Sequence, residues 1–196
     1  MINAVVEGQS DTGVADALIR AANREVGRII VKGGKSKLDP LIVNFHAASA
    51  QGTWLVIRDS DAECPLILHA RLTAGIINTH RSFLLRIAHP MAEGWLLADT
   101  AGFAGYFGVK LAQVPRDPES LTNAKDTVLR LCSSSRSRDI RRDMVVGSKT
   151  GPLYVHHVNE FAAKHWNVET AAQNSDSLRR ALGRIRQLPL TGDTRG

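Results

Sequence analysis

The sequence predicts an α/β fold, a parallel sheet with helices on both faces, followed by a mostly helical C-terminal extension. Two observations predict it. Short, nearly continuous apolar runs at Ile2–Val6, Arg28–Val31, Trp54–Ile57 and Ser82–Ala88 alternate with segments of helical spacing. Strands buried between two helix layers read this way, because side chains on either face meet apolar neighbours. From Met91 onward the strand pattern stops and helical segments follow one another.

The first strand ends in Glu7-Gly8-Gln9-Ser10-Asp11, after which Val14, Ala15, Leu18, Ile19 and Ala22 recur at helical spacing. Ser10 or Asp11 is expected to cap this helix by accepting a hydrogen bond from a first-turn amide. The second strand closes at Gly33-Gly34, and Asp39-Pro40 marks the start of a helix over Leu38–Ala50. The third strand delivers Arg58-Asp59-Ser60-Asp61, and Pro65–Ala74 reads as the next helix, with Leu66, Ile67, Ala70 and Leu72 among its apolar positions. Beyond the fourth strand, Trp95-Leu96-Leu97 with Phe103, Phe107 and Val109 indicates a helical pair. A proline-rich break at Pro115-Arg116-Asp117-Pro118 then separates residues 1–114, the α/β domain, from 115–196, an extension packed on it or continuous with it. Helices are expected over Ala124–Cys132, Tyr154–His165 and Ser177–Leu188, and a frayed tail from Leu190.

The chain has 196 residues, 43% of them hydrophobic, enough for one domain with a real core. No apolar run approaches the roughly 18 to 20 residues that span a bilayer, and the N-terminus lacks secretory-signal features. A soluble, cytoplasmic protein with no membrane partner is expected. Cys64 and Cys132 stand far apart, with no second Cys or nearby His at ligand spacing, so both read as ordinary thiols rather than a disulfide or zinc site. The net charge is +6, unevenly spread: residues 1–114 carry 11 Lys and Arg against 10 Asp and Glu, and residues 115–196 carry 14 against 9. A basic second half suits a polyanionic partner, because Lys and Arg release the counterions condensed on phosphates.

Three acids follow apolar strands: Glu7 after the first, Asp59 and Asp61 after the third. In parallel sheets functional groups collect beyond the carboxyl ends of the strands. An Asp-x-Asp pair there can point both carboxylates the same way and collect Mg²⁺, which keeps waters for substrate phosphates. Packed carboxylates repel one another unless a cation or bound protons offset the repulsion. Such a metal polarises a phosphoryl oxygen and stabilises the departing oxygen. The alternative is that Asp59 or Asp61 caps a helix over residues 62–74.

Val5-Val6-Glu7-Gly8-Gln9-Ser10-Asp11 and Leu55-Val56-Ile57-Arg58-Asp59-Ser60-Asp61, each on a strand of a βαβαβ pattern, resemble the TOPRIM domain of topoisomerases, primases and OLD-family nucleases. Ala92-Glu93-Gly94-Trp95-Leu96-Leu97-Ala98-Asp99, Pro115-Arg116-Asp117-Pro118-Glu119, Asp139-Ile140-Arg141-Arg142-Asp143-Met144-Val145 and Gly151-Pro152-Leu153-Tyr154 look like the small TOPRIM-like proteins grouped as DUF4276. This resemblance covers nearly the whole chain. It implies a TOPRIM-like Rossmannoid sheet and a nuclease-like site using Mg²⁺ or Mn²⁺, with Glu7 as general acid or base and Asp59 and Asp61 as ligands. It also implies an AAA or ABC-type ATPase encoded nearby, in prokaryotic defence against phage.

Glu93 follows the fourth strand and is the next candidate for catalysis and metal binding, since OLD-type nucleases use additional acids for a second metal. Asp99, six residues on, falls on a different helical face; either acid can instead cap a helix or pair with the basic half. Arg136, Arg138, Arg141 and Arg142 are candidates for tracking a phosphate backbone, with Lys35 and Lys37 as a second contact. Asp139 and Asp143, interleaved at helical spacing, equally suit local pairing. Arg58 and Arg86, placed near the acids, either clamp a phosphate or reduce carboxylate repulsion.

The His residues show no convincing ligand set, Tyr106 and Tyr154 lack the strand-passage domains a tyrosine nucleophile needs, and Trp54, Trp95 and Trp166 read as core anchors. No Gly-x-x-x-x-Gly-Lys-Ser/Thr loop is present, so a nucleotide-driven step must come from a partner. The activity that the resemblance implies is metal-dependent cleavage of DNA or RNA. The alternative is a TOPRIM-like module that regulates an ATPase with little catalysis of its own; self-association is left open.

Overall fold

Four parallel strands, β1 (Ile2–Val6), β2 (Val26–Val31), β3 (Thr53–Asp59) and β4 (Phe83–Ala88), form a sheet of order β2-β1-β3-β4 in the computed structural model, which describes residues 1–189. The tail expected to fray from Leu190 lies outside the described residues. From β1 the chain crosses to β2 on one side, and from β3 to β4 on the other. The switch between β1 and β3 opens a crevice beyond their carboxyl ends, where ligands bind in open α/β sheets. Ala4 is in register with Leu55 and Val5 with Val56, so Glu7 and Asp59 end neighbouring strands.

Alternation along the strands divides the core in two. Ile2, Ala4 and Val6 of β1 with Leu55 and Ile57 of β3 face one layer; Val5 and Val56 face the other. The second layer is built from α2 (Lys35–Leu38), α3 (Ile42–Ala48) and α4 (Pro65–Leu72), which contribute Leu38, Ile42, Phe45, Leu68 and Leu72. The first layer holds α1 (Thr12–Ala21), α5 (Ala92–Ala98), α6 (Thr100–Phe107), α7 (Ala124–Ser133), α8 (Arg138–Met144), α9 (Tyr154–Lys164), α10 (Val168–Asn174) and α11 (Asp176–Arg186). Trp95, Phe103, Phe161 and Leu182 are fully buried there, so one apolar cluster draws on residues from both sides of position 114. Each such side chain contributes on the order of 2 to 3 kcal/mol through burial. No described helix is long and apolar enough to cross a membrane.

Several local expectations change. The helix expected over 38–50 is broken into α2, a 3₁₀ turn at Asp39–Leu41 and α3, with Pro40, which has no N–H to donate, in the turn. It starts early because Gly33 and Gly34, both at positive φ, donate their N–H groups to Glu7 O and turn Lys35 into a first helical turn. Two helices, α8 and α10, and a small antiparallel ribbon of β5 (Val145–Val146) and β6 (Lys149–Thr150) lie where no element was predicted. All are too short for periodicity to announce them, although the caps Ser137 and Asn167 mark both helices.

The cap of α1 is also different. Asp11 precedes the helix with a helical backbone, and its carboxylate turns back to accept from the Gly8 N–H (2.8 Å) and the Ser10 hydroxyl (3.1 Å). The first-turn Gly13 N–H instead donates to Asn159 Oδ1 of α9 at 2.8 Å, and Asn159 Nδ2 donates to Gln9 O at 2.9 Å. This requires glycine at position 13: a Cβ there would stand 2.9 Å from Asn159 Cα and O.

Candidate functional site

The switch between β1 and β3 brings four carboxyl groups together on one side. Asp59, the last residue of β3, shares the face of Leu55 and Ile57, and its Oδ1 accepts from the Ala92 N–H at 2.9 Å. It therefore holds the start of α5, not a helix over 62–74. The next residue of α5, Glu93, is buried, with Oε1 accepting from the Tyr154 hydroxyl at 2.8 Å. Asp11 is buried beside them. Glu7 closes the group, accepting the Asp59 N–H on Oε1 at 3.0 Å.

Asp59 keeps part of its surface in solvent yet sits deep among protein atoms. Burial raises its pKa well above the carboxylate range, and the charges of Asp11, Glu93 and Glu7 raise it further. Burial first, then Glu93, pushes Asp11 up to about 6. Burial also raises Glu7, opposed by the Arg58 charge. Asp11 and Asp59 are thus costly to ionise beside Glu7 and Glu93, which favours a proton or a cation among them.

On the opposite face of β3, Arg58 forms a second ionic centre. Its side chain is only 4% exposed and lies 2.9 Å from Asp39, 3.1 Å from Glu7 and 3.2 Å from Asp61. It also donates to the Asp59 carbonyl. Lys35 completes the group at 2.8 Å from Asp61. Asp59 and Asp61 thus do not point the same way. The strand ends at Asp59, and Asp61 and Ala62 take left-handed backbone conformations (φ 50° and 66°), which places the Asp61 carboxylate with the two cations. The Glu7 carboxylate reaches both groups, accepting the Asp59 N–H and pairing with Arg58.

No protein-family model, curated protein or solved structure matches this chain.

Among the described residues no group of three or more His, Cys, Asp or Glu side chains is arranged to hold a metal ion. The donor chemistry of Glu7, Asp11, Asp59 and Glu93 nevertheless fits a hard cation, being all carboxylate and mutually repulsive. Asp61 fits it less well, since Lys35 and Arg58 already neutralise it.

The remaining candidates disperse. Lys37 is exposed on α2, two residues from the ion-paired Lys35. Arg136 and Arg138 are exposed at and before the start of α8. Arg141 donates to Ser135 O, and Arg142 pairs with Asp139 (3.0 Å) and Asp143 (2.8 Å), so part of the run is engaged locally. Asp99 is a buried cap, accepting from Gly102 N–H and Asn167 N–H. Arg86 does not join the acids: it lies mid-strand in β4, and the charges acting on it are Arg184 and Arg180.

Sequence reasoning passed over Asp11, Asp39 and Tyr154 as site members. Asp11 lay in the strand-end segment but looked like a helix cap, and Asp39 like a helix start beside Pro40. Tyr154 reaches Glu93 from 61 residues away, and only tertiary packing reveals that.

Proposed function

We propose that the chain is a metal-dependent phosphodiesterase acting on nucleic acid, a nuclease or nuclease subunit of TOPRIM-like type. The observation that carries this reading is the gathering of Glu7, Asp11, Asp59 and Glu93 at the β1–β3 switch, where burial and the neighbouring carboxylates raise the pKa of Asp11 and Asp59. Glu7, Asp59 and Glu93 would hold Mg²⁺ or Mn²⁺, which when bound would polarise a phosphoryl oxygen and offset the carboxylate repulsion. Glu7, held between the Asp59 N–H and Arg58, would exchange a proton with water or a leaving oxygen. Lys35, exposed at the same edge, adds positive charge for a phosphate. The resemblance to TOPRIM nucleases supports an AAA or ABC-type ATPase as controlling partner in anti-phage defence, and a cytoplasmic location.

A second reading has its own support. Arg58 and Lys35 already pair with Glu7, Asp39 and Asp61, as suits a regulatory module that docks on an ATPase and has little catalysis of its own. Incubation of labelled DNA and RNA with the full chain in Mg²⁺ or Mn²⁺ separates the two. Cleavage that falls by at least about a hundredfold in Glu7→Gln supports the nuclease. Cleavage unchanged by that substitution, or absent both alone and with the ATPase encoded nearby, overturns it.

A further inference from the structure

On the flank of the sheet, a pocket of about 300 Å³ opens between α4, β4 and α11. Pro65, Leu66 and Ile87 give it apolar walls, and Arg86, His69 and Arg180 line it as well. Arg86 is anomalous there. Its Nε is buried and has no hydrogen-bond partner. The charged groups acting on the guanidinium, Arg184 and Arg180, are both cations. The two carboxylates at the pocket are occupied elsewhere: Glu119 accepts from the Ser175 hydroxyl and the Ser177 N–H, and Asp176 pairs with Arg179 and Arg180.

A buried donor left unpaired is unfavourable, and the Arg86 side chain keeps only part of its surface in solvent. Lysine or histidine in such a place relieves the strain by losing its proton, but a guanidinium stays charged. What resolves the arrangement is an acceptor from outside. Arginine presents two parallel N–H groups that match the oxygens of a phosphate or carboxylate. Burial, and then the Arg86 charge, lower the pKa of the His69 imidazole beside it.

We propose that this pocket is an oxyanion site, in which Arg86 takes the phosphate or carboxylate head of a small ligand while Pro65, Leu66 and Ile87 cover an apolar body. The site is independent of the carboxylate cluster. Its test is titration of the full chain with phenyl phosphate and with benzoate at constant ionic strength, followed by amide NMR shifts. Saturable shifts are expected in α4, at residues 86–89 and at the start of α11. Affinity is expected to fall about tenfold or more in Arg86→Lys, which keeps the charge but loses the fork, to vanish in Arg86→Met, and to stay unchanged in Glu7→Gln. The tighter of the two ligands identifies the head group. Because Arg86→Met removes an unpaired charge, its thermal midpoint is expected to equal or exceed that of the parent. Absence of saturable shifts with both ligands, or binding retained in Arg86→Met, overturns the proposal.

Discussion

The Glu7 carboxylate accepts the main-chain N–H of Asp59 at 3.0 Å, fastening the end of β1 to the end of β3 at the point where the sheet's connections diverge. Through this bond Glu7 belongs to two centres of opposite character. One is a cluster of carboxyl groups that resist ionisation; the other is a cationic clasp around Arg58.

Arg58 holds three carboxylates from a nearly inaccessible position. Arg58→Met is expected to destabilise the fold by about 3 to 5 kcal/mol, since it leaves Glu7, Asp39 and Asp61 without their shared cation. Urea unfolding monitored by circular dichroism measures this, and a loss below about 1 kcal/mol contradicts the clasp.

The carboxyl cluster gives stability a definite pH dependence. Asp11 titrates at about 6 in the folded chain against an ordinary value of 3.8, so the folded state binds the proton more tightly than the unfolded one. The stability this contributes is complete below the ordinary value and is lost as pH rises through about 6. It amounts to at most about 3 kcal/mol. Glu7 and Asp59, also raised, act in the same sense. Without divalent cations, urea midpoints at pH 7.5 should therefore fall below those at pH 5, and Asp11→Asn should flatten the difference.

Asn159 substitutes for a local helix cap from 146 residues away. Asn159→Ala should cost about 1 to 2 kcal/mol, as for other lost caps. Gly13→Ala should cost about 1 to 3 kcal/mol by forcing α1 and α9 apart. Chemical denaturation of both variants tests the contact.

Tyr154→Phe removes the hydroxyl that the buried Glu93 accepts. A loss of about 1 to 3 kcal/mol is expected, because Glu93 keeps its burial and loses a partner. Urea unfolding of the variant measures the loss, and a change below about 0.5 kcal/mol contradicts the contact.

The parallel sheet was legible because its four strands are apolar runs separated by helical spacing, and burial on both faces leaves that trace. The strand ends were legible for the same reason, and with them Glu7 and Asp59. What escaped was set by direction rather than position. Asp61 follows Asp59 by two residues, but the chain leaves the strand between them and turns left-handed, so spacing did not predict its partners. Arg86 was instead missed by position: on the edge strand β4 it is in register with Ile57, short of the strand ends, and packs toward α11. Asp11, Tyr154 and Asn159 act across distances of sequence that no local pattern encodes.

The proposed nuclease requires the carboxyl groups at the β1–β3 switch to bind a divalent cation. Titration of the full chain with Mn²⁺ at pH 7.5, followed by calorimetry or electron paramagnetic resonance, tests it most directly. A saturable site that Asp59→Asn weakens by about tenfold or more is the predicted result. Saturable binding of equal strength in Asp59→Asn, or no saturable binding to the parent chain, would contradict it.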